Sequence, residues 1–174
     1  MLKYLFYLIF DVLFMVICYI INPVVALFAN SAGYLPFYLS WFGTHDNPID
    51  GDAYFQSKYP GNSKWKQYRR RVLWLYRNTG YTFRYNVLGY TIDAANYIKY
   101  DHLYKNFNGS DHGWLFAYDK SMPWYLRGWS FYMQLPYGTF DYGIRIYIGW
   151  KFKGLSSGRK MFAHSINPFY PVNG

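Results

Sequence analysis

The chain has no glutamate: all nine acidic residues among its 174 are aspartates. Three kinds of site that need a glutamate are thereby excluded: the H-E-x-x-H metalloprotease helix, a glutamate general acid and a complete EF-hand calcium loop. The one cysteine, Cys18, lies in an apolar segment, so disulfides within the chain and multi-cysteine zinc sites are excluded too. The sequence also lacks a glycine-rich phosphate loop, a G-x-S-x-G nucleophile elbow and a dinucleotide-binding fingerprint. It therefore indicates neither a reaction nor a specific partner.

A long apolar run, residues 4–29, is the most informative segment of the chain. Only Asp11 and the pair Asn22-Pro23 interrupt it. About 20 apolar residues in a helix cross the hydrocarbon core of a bilayer. Here apolar residues occupy every side of the helix, unlike the stripe of an amphipathic core helix. The alternative is a secretory signal peptide, but its apolar part would be shorter and would contain no acid. We predict a membrane anchor over residues 1–30.

Residues 31–60 form a second region. Within it, residues 34–42 are apolar but too short to span a bilayer, and their tyrosines and tryptophan suit the headgroup level of a membrane. Residues 44–52 are rich in Asp, Asn, Pro and Gly, which is typical of a turn-rich loop. We predict an interfacial segment followed by an Asp-rich loop.

The orientation of the anchor has two interpretations. Lys3 precedes the apolar run and no Lys or Arg follows it until Lys58. The positive-inside bias then favours an inside N-terminus and an outside domain, which in a bacterium is periplasmic. Alternatively, a helical hairpin enters the membrane as far as Asn22-Pro23 and returns by Phe42, which leaves both ends on one side.

Aromatic residues and positive charge dominate the remainder of the chain. Tyr (22), Phe (15) and Trp (7) make up 25% of it, and such residues favour strands and the membrane–water interface. The net charge is +9, and Lys3 and Asp11 cancel within the anchor, so the domain carries the excess. A basic domain is attracted to anionic lipid or to nucleic acid. Because an anchor is present, we expect the lipid bilayer as partner and nucleic acid as an unlikely one; no cofactor is expected.

Residues 61–174 combine one helix with several strands. Asn62-Ser63 offers an N-cap to a basic helix that runs through Arg77 and ends at 78–80. Period-two alternation predicts half-buried strands, each with one wetter face, over 81–87, 129–135 and 144–152, and more weakly over 114–118 and 161–164, with a hairpin turn at 136–138. We predict an α+β fold: an N-terminal transmembrane helix, then an antiparallel β-sheet of four to six strands with a basic amphipathic helix packed on it. Residues 61–174 would be one aromatic-rich α+β domain.

Several short motifs occur in a recognisable order along the chain: 22–28 (NPVVALF), Leu35-Pro36, Trp41-Phe42, 46–52 (DNPIDGD), 71–78 (RVLWLYRN) and 149–151 (GWK). In this order they resemble a family of small uncharacterised membrane-associated proteins encoded by tailed bacteriophages and prophages of enteric bacteria. The resemblance implies a phage origin and a bacterial host inner membrane. It implies no established activity and no catalytic residues.

The basic helix supplies the candidate binding residues. We assign membrane-surface or partner contact to Lys64, Trp65, Lys66, Arg69, Arg70, Arg71 and Arg77. Cations beside a Trp/Tyr-edged stripe bind an anionic bilayer surface, each contributing about 1 kcal/mol. The same cations could bind nucleic-acid phosphates. In the third interpretation the apolar stripe packs on the sheet and the charges are only solvated.

One short motif could support catalysis. His45 and Asp50 fit H-x-x-x-x-D, which resembles the arrangement of membrane-bound glycerolipid acyltransferases, in which the His deprotonates an acceptor hydroxyl and the Asp orients the imidazole. The chain is too short for the large acyltransferase domain. A loop shaped by Asx-turns and Pro48 is the simpler interpretation.

Two groups of residues could bind a metal ion. Asp46, Asp50 and Asp52 offer oxygen ligands for Ca²⁺, but no glutamate completes the loop. The pairs Asp101-His102 and Asp111-His112, with His164, could form a zinc site, yet neighbours in sequence point in different directions. We expect no metal.

These observations favour a phage-encoded, membrane-anchored binding protein of the host cell envelope, which serves host takeover or the exclusion of competing phage without catalysis. Its partners would be the bilayer and a host or phage membrane protein. A membrane-bound, acyltransferase-like lipid-modifying enzyme that uses His45 and Asp50 is the first alternative. A virion component that engages the membrane during entry is the second.

Overall fold

The computed structural model of the chain describes residues 1–105, 111–138, 142–153 and 156–171. The chain forms two compact units, Met1–Leu8 with Leu88–Gly174, and Ile9–Val87. One long helix contributes residues to both units. This division therefore differs from the regions 1–30, 31–60 and 61–174 that the composition suggests.

The unit Ile9–Val87 is helical. Its helices are α1 (Leu2–Val25, which begins in the other unit), α2 (Ala53–Lys58), α3 (Lys64–Arg77) and α4 (Tyr81–Asn86), with 3₁₀ turns at Ala26–Phe28 and Phe37–Phe42. A hydrophobic cluster at its centre contains Val25, Ala26, Ile49, Phe55, Trp74 and Leu75. This cluster joins the end of α1 to α2 and α3.

The other unit is a sheet protein. Its strands are β1 (Tyr90–Ile92), β2 (Tyr97–Asp101), β3 (Tyr104–Lys105), β4 (Asp111–Asp119), β5 (Trp129–Pro136), β6 (Tyr142–Trp150), β7 (Gly158–Lys160) and β8 (Phe162–Pro171), with a 3₁₀ turn at Ala94–Asn96. A six-stranded sheet has the order β2-β4-β5-β6-β8, with β3 also paired to β4, and β1 pairs with β7. All these pairs are antiparallel. The predicted α+β class is confirmed, as are the strands over 114–118 and 129–135. The strand predicted over 144–152 ends at Trp150, and the one predicted over 161–164 begins at Phe162.

The ends of α3 are those that the sequence predicts. The Ser63 hydroxyl accepts a hydrogen bond from the Lys66 amide, which caps the first turn. The helix stops at Asn78, and Gly80 follows with φ +64°, a conformation that favours glycine. The buried face of α3, which includes Trp74 and Leu75, packs in the cluster with the end of α1. The packing partners of the basic helix are thus helices and loops of its own unit.

The strand predicted over 81–87 is wrong, because this segment forms helix α4. Alternation of Tyr81, Phe83 and Tyr85 is too brief to exclude a helix. Tertiary contacts decide the conformation: the Thr82 amide and hydroxyl both donate to the Gly43 carbonyl, at 3.2 and 2.8 Å. The Phe83 ring stacks on Phe14 of α1 at 4.2 Å.

The alternation of β5 is confirmed, but the burial of its two faces is the reverse of what its polarity suggests. Ser130, Tyr132 and Gln134 are buried, at 0%, 4% and 4% exposure. The apolar series Trp129, Phe131, Met133 and Leu135 is half-buried or exposed. The wetter face is therefore the apolar one.

Candidate membrane-binding surface

One side of α1 is an exposed apolar surface of the helical unit. Within the described residues, one helical segment, Leu2–Phe28, is long and apolar enough to cross a membrane, and only 17% of its most apolar stretch is buried. A helix in the core of a soluble protein would be mostly buried. The exposed side chains include Ile9, Phe10, Leu13, Val16, Ile17, Ile20, Val24 and Leu27. Soluble monomers rarely expose so continuous an apolar surface.

The opposite side of α1 is packed against the protein. Tyr4, Asp11, Cys18, Asn22 and Val25 are buried, and their spacing of seven, seven, four and three places them on one face. The sequence alone gave no reason to distinguish this face, because most of the helix is apolar all round. Its two interrupting polar residues, Asp11 and Asn22, both lie on the buried face.

Arg84 of α4 neutralises Asp11. Its Nε donates to both carboxylate oxygens, at 2.9 and 3.0 Å, and Asp11 is fully buried while the Arg84 side chain is 17% exposed. A buried carboxylate needs such a partner, since an uncompensated charge in a low-dielectric interior is costly. The acid in the apolar run is thus turned away from the exposed face. Intramembrane ionisable groups are arranged in the same way.

The basic helix presents part of its charge next to a small pocket. Lys64, Trp65, Lys66, Arg69 and Arg77 are exposed, as predicted for binding residues. A pocket of about 230 Å³ lies between the end of α2 and the first half of α3, lined by Lys58, Tyr59, Pro60, Lys66, Arg69 and Arg70. Its three exposed cations, Lys58, Lys66 and Arg69, make it suited to an anion such as a phosphate group.

One glycine beside this pocket has a backbone conformation that favours glycine. Gly61 has φ +119°, which other residues rarely adopt, and a Cβ at this position would clash with Lys66 Cδ. Lys58 was not among the predicted binding residues. In the sequence, Lys58 is the first cation after the predicted anchor, which could have drawn attention to it. Its position at the pocket, however, depends on where α2 ends.

The surface role predicted for Arg70 and Arg71 is wrong, because both side chains are buried around Asp50. Arg71 binds the carboxylate with two nitrogens, Nε to Oδ1 at 3.1 Å and Nη2 to Oδ2 at 2.9 Å, and Arg70 Nη2 donates to Oδ1 at 3.2 Å. Arg71 also donates to the Ala29 and Asn30 carbonyls. These arginines tie the end of α1 and the Asp-rich loop to α3, so their role is structural.

The pair proposed for acyl transfer is not assembled. His45 stacks on Tyr85 at 4.3 Å and on Tyr81 at 5.5 Å, beside a pocket of about 240 Å³. Asp50 accepts from the two arginines instead, and within the residues that the structure describes no hydrogen bond joins it to His45. The base-and-orienter geometry that the motif suggested is therefore missing here.

The candidate metal ligands have other partners. Asp52 caps α2 by accepting from the Phe55 amide at 2.8 Å, and Asp50 is bound by arginines. Asp111 pairs with Lys105 and Lys153. Across residues 1–105, 111–138, 142–153 and 156–171, no three or more His, Cys or Asp side chains are grouped so that they could bind a metal ion.

Comparisons with curated proteins and with solved structures give no match. A comparison with protein-family models gives one family, described as a family of unknown function, whose model covers residues 1–173. Since this is nearly the whole chain, the chain belongs to that family of unknown function, DUF7338.

Proposed function

We propose that this is a phage-encoded, membrane-bound binding protein that acts at the host cell envelope, in host takeover or in the exclusion of competing phage. The observation that carries the membrane part is the exposed apolar side of α1, whose one acid is turned inward to Arg84. The motif order described above supports the phage origin. The lipid bilayer of the host inner membrane is the first partner, and a host or phage membrane protein is the second.

The packing of α1 favours a helix that lies in the plane of the membrane over one that spans it alone. Residues 11–25 of α1 contact α3 and α4 along their length, for example through Asp11 to Arg84 and through Tyr68 Oη to the Pro23 carbonyl at 3.1 Å. A spanning α1 would carry the exposed cations of α3 into hydrocarbon, which costs several kcal/mol for each charge. An in-plane helix places its apolar side in the acyl chains and leaves the cations at the headgroups.

The pocket beside Lys66 and Arg69 supports this arrangement. Three exposed cations there suit the phosphates of anionic lipids, and the exposed Trp65 suits the headgroup level. Binding by α1 would be hydrophobic and binding by this pocket electrostatic. The two should therefore respond differently to salt.

The test is membrane fractionation of the full-length protein from bacteria. We expect the protein to sediment with membranes and to resist extraction by carbonate. Replacing two exposed residues of α1, Ile17→Gln with Ile20→Gln, should release a large share of it. The matched control is Ala94→Gln with Ala95→Gln, which places the same side chains at exposed positions of the other unit.

Deletion of residues 1–30 is unsuitable, because the buried face of α1 is part of the core. A full-length protein that stays soluble would overturn the membrane proposal. Host takeover or exclusion would be overturned if expression left both host growth and infection by other phages unchanged. Detection of the protein in purified virions would favour a virion component instead.

A further inference from the structure

The six-stranded sheet has one face without a charged side chain. The strand register places the following residues on this face, in cross-strand contact from β2 to β8: Ile98, Tyr100, Trp114, Phe116, Tyr118, Trp129, Phe131, Met133, Leu135, Ile144, Ile146, Ile148, Trp150, Phe162, His164 and Ile166. None of them is Lys, Arg or Asp. We call this set the outer face.

The outer face is open at many positions. Trp114 is 38% exposed, Leu135 40%, Tyr100 51% and Ile166 65%, and the central residues are half-buried. In an antiparallel sheet with one face in water, the wet face is normally the polar one. An exposed apolar face of this size is typical of a surface that binds something other than water.

The opposite, inner face holds the polar and charged side chains. Lys99, Asp101, Asp119 and Arg145 share it with Ser130, Tyr132 and Gln134. Several of these are internally satisfied: Tyr132 Oη donates to Gln134 Oε1 at 2.7 Å, and the Lys153 ammonium lies 4.6 Å from the centre of the Tyr132 ring. Strands with polar residues inside and apolar residues outside show the polarity of lipid-facing strands.

The outer face is continuous with the first turns of α1 in the same unit. The Tyr4 ring lies 5.0 Å from Trp129 and 4.9 Å from Phe162, and its hydroxyl donates to the Ala163 carbonyl at 3.3 Å. Beside this contact, Leu2, Leu5 and Phe6 stay 55–58% exposed. The first turn of α1 therefore covers the Trp150 and Phe162 end of the outer face, which is fully buried, and exposed apolar side chains of α1 lie beside that end.

We propose that the outer face is a second lipid-binding surface, which rests on the acyl-chain side of the headgroup layer together with the first turns of α1. The occupant is lipid, because the face adjoins the exposed apolar side chains Leu2, Leu5 and Phe6 of the first turns of α1 and has no charged group for a nucleic acid. The proposal rests on the proposed function, since α1 must bring the sheet to the membrane. The sheet lies face-down and shallow, because β2 and β8 end the strand order and backbone at the edge of an open sheet does not enter hydrocarbon.

The test measures the depth of single labelled positions in the full-length protein. In a Cys18→Ala background, cysteines replace Met133 and Ile146 on the outer face, Lys99 and Ser165 on the inner face, and Ile17 on α1. Each carries an environment-sensitive fluorophore and is bound to phosphatidylglycerol–phosphatidylethanolamine vesicles that contain chain-labelled nitroxide lipid. We expect at least about twofold stronger quenching at Met133, Ile146 and Ile17 than at Lys99 and Ser165. Leu135→Cys, already 40% exposed, is the second variant if a central position unfolds the sheet.

The outcomes separate the two proposals. Quenching at Ile17 without quenching at the outer face would overturn this inference and leave the proposed function standing. Absence of quenching at all positions would overturn both. An outer face that is not quenched but forms a Met133→Cys disulfide between two copies would show that a second copy covers it, which also overturns the inference.

Discussion

The Tyr76 hydroxyl donates a hydrogen bond to the Tyr19 carbonyl at 3.2 Å, and the two rings stack with centroids 5.8 Å apart. Tyr19 lies four residues before Pro23, which has no N–H to donate to that carbonyl within α1. A proline inside an apolar helix leaves one backbone acceptor without its helical partner. Here a side chain from α3 supplies the missing donor, so α3 stabilises the turn of α1 that precedes Pro23.

Replacing Tyr76 by Phe should lower the free energy of unfolding by roughly 1–2 kcal/mol, because the ring stacking stays and only the donor is lost. Chemical unfolding in detergent micelles or nanodiscs measures the effect. In a Pro23→Ala background the helix regains its own N–H, and the same Tyr76→Phe change should cost little. An equal cost in both backgrounds would contradict this role of Tyr76.

The Arg84→Gln variant should lose about 3–5 kcal/mol of stability, since it leaves the Asp11 carboxylate buried and unpaired. Adding Asp11→Asn should recover part of that loss, because the uncompensated charge is then removed. Thermal unfolding of the membrane-bound protein measures both variants. Lys120→Gln, which removes one charge at an exposed position, is the control and should be nearly neutral.

The role of the exposed cations and the role of His45 can be tested separately with two variants. Reversal of Lys64, Lys66 and Arg69 to Asp should weaken binding to anionic vesicles by at least about 3 kcal/mol, or about 100-fold, and leave binding to neutral vesicles almost unchanged. Arg70 and Arg71 are left intact, because their loss would free the buried Asp50.

We expect His45→Ala to be mild in the same infection or toxicity assay in which the charge reversal reduces the effect. Loss of the biological effect with His45→Ala alone, at normal fold and membrane level, would favour the lipid-modifying enzyme. Equal tolerance of both variants would mean that the charges of α3 are only solvated.

The loss of stability as the pH falls should depend in part on the Asp119 carboxylate. Burial raises the pKa of this carboxyl, but hydrogen bonds from Ser121 and from the Tyr90 hydroxyl, at 2.7 Å, outweigh it, so the folded pKa lies below the ordinary value. Its contribution is therefore present above the unfolded pKa of about 3.9 and is lost as pH falls through the folded pKa. Asp119→Asn should reduce the loss of melting temperature between pH 6 and pH 3, and an unchanged slope would exclude this role.

The sides of the membrane on which the two termini lie distinguish an α1 in the membrane plane from an α1 that spans the membrane. With an in-plane helix, reporters fused before Met1 and after Gly174 should lie on the same side of the host inner membrane. A spanning helix puts them on opposite sides, with the C-terminal reporter periplasmic by the charge bias. Paired cytoplasmic and periplasmic reporters distinguish the two arrangements.

Much of the local structure follows from the sequence. The Ser63 cap and the Asn78–Gly80 ending determine α3 because a helix must satisfy its terminal amides and carbonyls locally. The alternation in β5 and β6 determines two strands of eight and nine residues, since period two over that length has no helical equivalent. The short strands β1 and β7, of three residues each, carry no such pattern and were missed.

The sequence also determined which segment is apolar enough for a membrane, because that depends on composition and length alone. Only the tertiary structure decided which members of each pattern are buried. Arg70 and Arg71 look identical to Arg69 in sequence, yet they alone reach Asp50, which lies about twenty residues earlier in the chain. Segment 81–87 became a helix, and β5 buried its polar face, because partners distant in sequence compete with the local preference and contribute more free energy than a short pattern does.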